Sequence, residues 1–138
     1  MTRMIKWLGA AACLLAASPA LAAQTPTPSK FDGRIGYVTY NAADVVTLHT
    51  TAGVATHIAL QEGENYVTHA FGDAEAWSFA VERNHVFIKP KADLADSNLI
   101  LVTDQRTYTF ERVYHASKAA EVVYSMWFHY PDVAAQAK

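Results

Sequence analysis

A chain of 138 residues, about half of them apolar, is long enough for one domain with its own core and short for two. Its formal charge of −2, from 11 Lys and Arg against 13 Asp and Glu, gives no basic excess for phosphate backbones, so direct nucleic-acid binding is not expected. The single cysteine, Cys13, excludes a disulfide within the chain.

The N-terminus reads as an export signal. Arg3 and Lys6 supply a positive start, Trp7 to Ala17 an apolar segment, Ser18-Pro19 a break, and Ala20-Leu21-Ala22 the small-x-small pattern of a cleavage site. The apolar segment is well short of the roughly 20 residues that a membrane-spanning helix needs. Residues 1–22 are therefore expected to be a cleavable signal peptide, cut after Ala22 or Ala23. Lipidation at Cys13 is disfavoured, because Ala10-Ala11-Ala12 is a poor lead-in and the apolar segment would be cut short. Cleavage removes Cys13, Arg3 and Lys6, leaving nine basic residues against 13 acidic ones, a formal charge of −4.

Residues 23–31 contain Gln24-Thr-Pro-Thr-Pro-Ser-Lys30, a polar, proline-spaced arm expected to be extended and poorly ordered. Beyond it, apolar runs of strand length alternate with Gly, Asp, Asn and Pro, the residues that turns require. Strands are predicted at about 34–40, 45–50, 54–60, 66–71, 76–82, 85–89, 98–103, 106–114 and 123–130. This is an all-β chain: a single small β-sandwich or open barrel of about nine short antiparallel strands over residues 32–131. The Ala-rich stretch His115 to Val122 is the one helical candidate, and could equally be a loop. Residues 132–138 read as a tail or the start of a linker.

Two hairpins can be written residue by residue. A two-residue turn at Arg83-Asn84 pairs Glu82 with His85, Val81 with Val86, Ala80 with Phe87 and Phe79 with Ile88. Trp77, Phe79, Val81, Val86 and Ile88 then share one apolar face. A turn at Asp104-Gln105 pairs Thr103 with Arg106, Leu101 with Tyr108 and Leu99 with Phe110, and puts those four apolar residues on one face. Pro90 and Pro131, which cannot donate to a ladder, end their strands.

Residues with chemical potential do not assemble into a catalytic pattern. Six histidines invite a metal reading, but His49, His57, His69, His85, His115 and His129 show no paired ligand spacing, and solvated or hydrogen-bonded roles are expected. His49 and His57 are expected on neighbouring strands. A two-residue loop between them would put the rings on opposite faces, a three-residue loop on the same face. Glu62 and Glu64 around Gly63, and Asp73 and Glu75 after Gly72, are expected to be solvated turn carboxylates. No catalytic residue, cofactor site or metal site is assigned. Met126 to Tyr130 carries bulky rings on both faces of a strand, so one face belongs to the core and the other is a candidate interface. Tyr37, Tyr40, Trp127 and His129 are the candidate contact residues, with the first strand a possible edge for pairing with a neighbour.

The order Gly63-Glu64, Gly72-Asp73, Trp77, Asn84-His85-Val86-Phe87-Ile88-Lys89-Pro90, Asn98-Leu99, Arg106-x-Tyr108-x-Phe110 and Phe128-His129-Tyr130-Pro131 resembles the N-terminal half of the TrbG/CagX family. Asp32-Gly33-Arg34-Ile35 and Tyr40-Asn41 fit the start of that family, so the resemblance spans about residues 32 to 131. It implies a non-enzymatic subunit of the ring-shaped core complex of type IV secretion and conjugation systems, located in the periplasm. There its β domain would pack in an inner layer beside other core subunits, notably a partner anchored in the inner membrane. The family's C-terminal β domain contacts an outer-membrane lipoprotein; this chain stops where the linker to that domain begins, so lipoprotein contact is not carried over. The alternative reading is a free-standing periplasmic β domain that binds a small or peptidic ligand.

Overall fold

The computed structural model describes residues 21–91, 96–117 and 121–136, so most of the expected signal peptide lies outside the described residues. Strands β1 (Thr27–Pro28), β2 (Ile35–Thr39), β4 (Thr56–Ala59), β6 (Trp77–Glu82), β7 (His85–Pro90) and β10 (Ser125–His129) form one sheet, in the order β1-β2-β10-β4-β7-β6. Strands β3 (Val46–Thr51), β5 (Tyr66–Phe71), β8 (Ser97–Thr103) and β9 (Thr107–His115) form the other, in the order β3-β9-β8-β5. The two sheets stack as an open sandwich. Each predicted strand is present, with ends moved by one or two residues.

Both hairpins have the expected register. Phe79 faces Ile88 and Glu82 faces His85 in β6–β7, while Leu99 faces Phe110 and Leu101 faces Tyr108 in β8–β9. A two-residue turn fixes these pairings locally. Elsewhere the chain crosses from sheet to sheet, and there pairing is non-local. The β10 strand inserts parallel to both β2 and β4, and β3 runs parallel to β9. The sheets are thus mixed, where the hairpins alone suggested antiparallel strands throughout.

Three further local differences stand against the sequence expectations. First, β3 and β4 belong to different sheets, so neither loop register considered for His49 and His57 applies. Second, the N-terminal arm is extended but docked: β1 pairs with β2, and Gln24 bridges to Val46. Gly36 permits this approach, since a Cβ there would lie 2.7 Å from the Pro26 Cβ. The first strand is consequently flanked on both sides and is no free edge. Third, the helical candidate at 115–122 is not a helix where it is described, because His115 ends β9 and Ala116-Ser117 form a bend; residues 118–120 lie outside the described residues. The helix is instead α1 (Pro131–Gln136), begun by a proline whose fixed φ suits a first turn and by Asp132, favourable at a helix N-terminus.

The core lies between the sheets and is built from alternate residues of each strand. Leu48, Ile58, Val86, Ile88, Leu99, Leu101, Phe110 and Met126 are all buried there. Each such side chain contributes on the order of 1.5–3 kcal/mol through burial. Strand parity then fixes which residues face out.

Candidate assembly surface

Parity along β10 places Met126 inside and Trp127 outside. Trp127 lies opposite Tyr37 on β2 and Ala59 on β4. On the far side of β4, Phe87 lies opposite His57. The outer face of the six-stranded sheet therefore carries three large exposed rings: Tyr37 at 52% exposure, Trp127 at 44% and Phe87 at 40%. The half-buried His57 joins two of them. Its ring stacks on Phe87 with centroids 5.0 Å apart and meets Trp127 edge-on at 5.9 Å. Its two nitrogens are held by Ser125 Oγ and His85 Nδ1, each at 2.9 Å. Burial, with the nearby His85 adding to it, holds the His57 pKa below its ordinary value, so the ring is neutral at pH 7. An uncharged, rigid aromatic surface of this composition suits a protein contact.

Beside Trp127 a cleft of about 720 Å³ opens, lined among others by Leu60, Asn84, His85, Phe128 and Tyr130. Gln61, Glu64 and Tyr130 in its lining belong to a buried polar network. Glu64 is 1% exposed and accepts hydrogen bonds from Tyr108 OH at 2.9 Å, from Thr103 Oγ1 and from Arg106 at 3.1 Å. Arg106 also donates to Gln61 Oε1 at 2.6 Å and to Asp132 at 3.2 Å, and lies over the Tyr130 ring at 4.1 Å. Tyr108 and Tyr130 share a hydrogen bond at 2.9 Å. Burial drives the Tyr108 phenol far above its ordinary range and pushes Tyr130 up to about 12, so both stay protonated as donors. The network ties the loop before β5, the β8–β9 turn and the start of α1 into one joint.

The sequence-derived residues divide clearly. Tyr37, Trp127 and His129 point outward, with His129 opposite Thr39 one step further along β10. Tyr40 does not join them: its ring packs edge-on against Tyr108 at 5.1 Å and its hydroxyl donates to Thr107 O. Glu64 is a buried acceptor rather than the expected solvated turn carboxylate, whereas Glu62, Asp73 and Glu75 are exposed. Of the positions that carried the family resemblance, Glu64, Arg106, Tyr108 and Tyr130 converge at this joint, with Gly63 and Pro131 next to them in the chain. Gly72, Trp77, Pro90 and Asn98 form a second cluster, where Gly72 N donates to Asn98 O and Trp77 faces Pro90. A Cβ on Gly72 would lie 2.6 Å from Asn98 Oδ1. Asn84 caps Leu60 O through its side chain, Leu99 and Phe110 are core, and Phe87 and Lys89 face solvent. Sequence reasoning left Phe87 and His57 out of the surface. Parity alone could have found Phe87, since its neighbours Val86 and Ile88 point inward.

Comparison with known proteins bears on what this surface is for. The CagX family, described as a conjugal transfer protein, matches over residues 33–138. The type IV secretion system protein virB9 of Brucella abortus is 35% identical over 142 residues, covering 89% of this chain and 49% of that protein. The type IV secretion system protein PtlF of Bordetella pertussis is 32% identical, covering 88% and 52% respectively. Protein virB9 of Agrobacterium fabrum is 31% identical, covering 92% and 47%. The chain thus spans about half the length of these relatives.

Proposed function

The chain belongs to the CagX family of conjugal transfer proteins, and from that premise we propose that it is a non-enzymatic structural subunit of a type IV secretion or conjugation channel. The observation that carries the reading is the family match across residues 33–138, the whole of the sandwich beyond its N-terminal arm. In this reading the chain is exported by residues 1–22, matures at Ala22 or Ala23, and works in the periplasm within an inner layer of the core-complex ring. Its neighbours are other core subunits, notably one anchored in the inner membrane. The outer face of the six-stranded sheet, with Tyr37 and Trp127 side by side and Phe87 and His129 flanking them, is the contact surface. Support comes from its composition: large rings with few rotatable bonds, adjacent on paired strands, are typical energetic anchors of protein interfaces. The buried Glu64 joint supports it as well, since through the Tyr108–Tyr130 hydrogen bond it anchors the chain where it leaves β10.

Co-expression with the inner-membrane-anchored subunit of the same gene cluster, followed by affinity purification, tests the proposal. The two proteins should co-purify, and a Tyr37→Ala/Trp127→Ala variant should lose the partner while remaining folded. Failure of the unaltered chain to co-purify with any secretion subunit would contradict the assignment.

A further inference from the structure

Away from the aromatic surface, on the outer face of the other sheet, two histidines and a carboxylate meet. His49 lies on β3 and His115 ends β9; the parallel register sets His49 opposite Val113 and Thr51 opposite His115. The two rings therefore sit on the same face, diagonal neighbours on paired strands. His49 Nδ1 and His115 Nε2 are 2.8 Å apart. The third group arrives from a different segment. Val123 N donates to His49 O at 3.1 Å along the open side of β3, and this brings Glu121 beside the pair, with its Oε2 4.0 Å from His115 Nε2. The three ligand atoms all lie within 4.8 Å of one another.

We propose that His49, His115 and Glu121 form a divalent-metal site of the zinc type. Two imidazoles and one carboxylate are a donor set that Zn²⁺ takes readily, with a fourth position left for water. The hydrogen-bonded distance suits the empty pair, in which one ring donates its N–H to the lone pair of the other. A tautomer shift in the donor ring presents both lone pairs, and metal bonds of about 2.0–2.1 Å then need the nitrogens roughly 3.3 Å apart, an opening of about half an ångström. Glu121, at 68% side-chain exposure, is free to swing onto the ion. A cavity of about 260 Å³ lined by Pro26, Gly36, His49, Glu121 and Val123 leaves room for the water.

The fold supplies its own comparison. His57 and His85 make an equally close pair, 2.9 Å apart, but the group at their other end is the Ser125 hydroxyl rather than a carboxylate. Proximity of two histidines is therefore common to both places, and the carboxylate distinguishes one. Because His115 closes β9 and Glu121 precedes β10, an ion there would fasten both ends of the β9–β10 connection to β3.

The test is calorimetric titration of Zn²⁺ into the whole chain, purified without a histidine tag and stripped with chelator, with Co²⁺ absorption as a second readout. One equivalent should bind, and Co²⁺ should give the visible bands of a low-coordinate site. Affinity should fall about tenfold or more in His49→Ala, His115→Ala and Glu121→Gln, since even an outer partner of a metal ligand is worth that much. His57→Ala should bind as the unaltered chain does. Glu121→Gln changes one exposed side chain and so decides the matter if a histidine variant misfolds. Absence of stoichiometric binding, undiminished binding in Glu121→Gln, or loss of binding in His57→Ala would each overturn the site.

Discussion

Glu64 and Arg112 are both buried, but their surroundings differ and so do the expected effects of changing them. Glu64 is matched by Arg106, Tyr108 and Thr103, so removing its carboxylate strands a guanidinium and two hydroxyls. Glu64→Ala should destabilise by about 3–5 kcal/mol in chemical denaturation, the usual cost of breaking a buried pair. Arg112 is 0% exposed, lies 3.5 Å over the Trp77 ring and donates to Asn98 O, while its Nε and NH1 find no acceptor among the described residues. Burial pulls its pKa down to about 10, with Asp73 opposing, so it still carries its charge at neutral pH. Arg112→Met should therefore be neutral or stabilising by about 1 kcal/mol, whereas Trp77→Ala should cost about 3–5 kcal/mol by opening a large cavity. The histidines set the pH dependence. Burial lowers the pKa values of His57 and His69 below 6.5, so the unfolded state takes up protons first as pH falls. Their contribution is complete above that value and is lost on acidification toward the folded-state pKa. Thermal melts in chelator should show the midpoint falling from about pH 7.5 to 5.5, and falling less in a His57→Gln/His69→Gln variant.

At the scale of elements, what was legible is what local chemistry decides. Two-residue turns fixed the β6–β7 and β8–β9 registers, and strand parity assigned their inner faces. Arg83, in the first of these turns, holds a φ of 54°, a left-handed conformation that glycine adopts without penalty. Arg83→Gly should thus raise stability by up to about 1 kcal/mol, measured as a higher denaturation midpoint. The parallel insertion of β10 between β2 and β4 was not legible, because no turn records a pairing between segments some seventy to ninety residues apart. The same holds for the buried fate of Glu64. Nothing local separates it from Glu62, and its partners Thr103 and Tyr108 lie 39 and 44 positions away. His49 and His115, 66 positions apart, escaped notice for that reason.

The whole molecule presents two unlike outer faces. The four-stranded sheet shows Ile100 among Asn98, Thr107 and Thr109, whereas the six-stranded sheet shows Tyr37, Trp127 and Phe87 around a neutral His57. A stable protein contact usually buries about 1,200–2,000 Å² in total and draws its energy from a few central rings. Among the described residues the six-stranded face has such exposed Trp, Tyr and Phe rings, and the outer face of the four-stranded sheet shows none of these three types. The most direct measurement places a photo-cross-linking amino acid at position 127, and separately at position 100, in cells carrying the complete secretion gene cluster. Position 127 should give an adduct with another secretion subunit and position 100 should not; adducts at 100 alone, or at neither position, would contradict assembly through the six-stranded sheet.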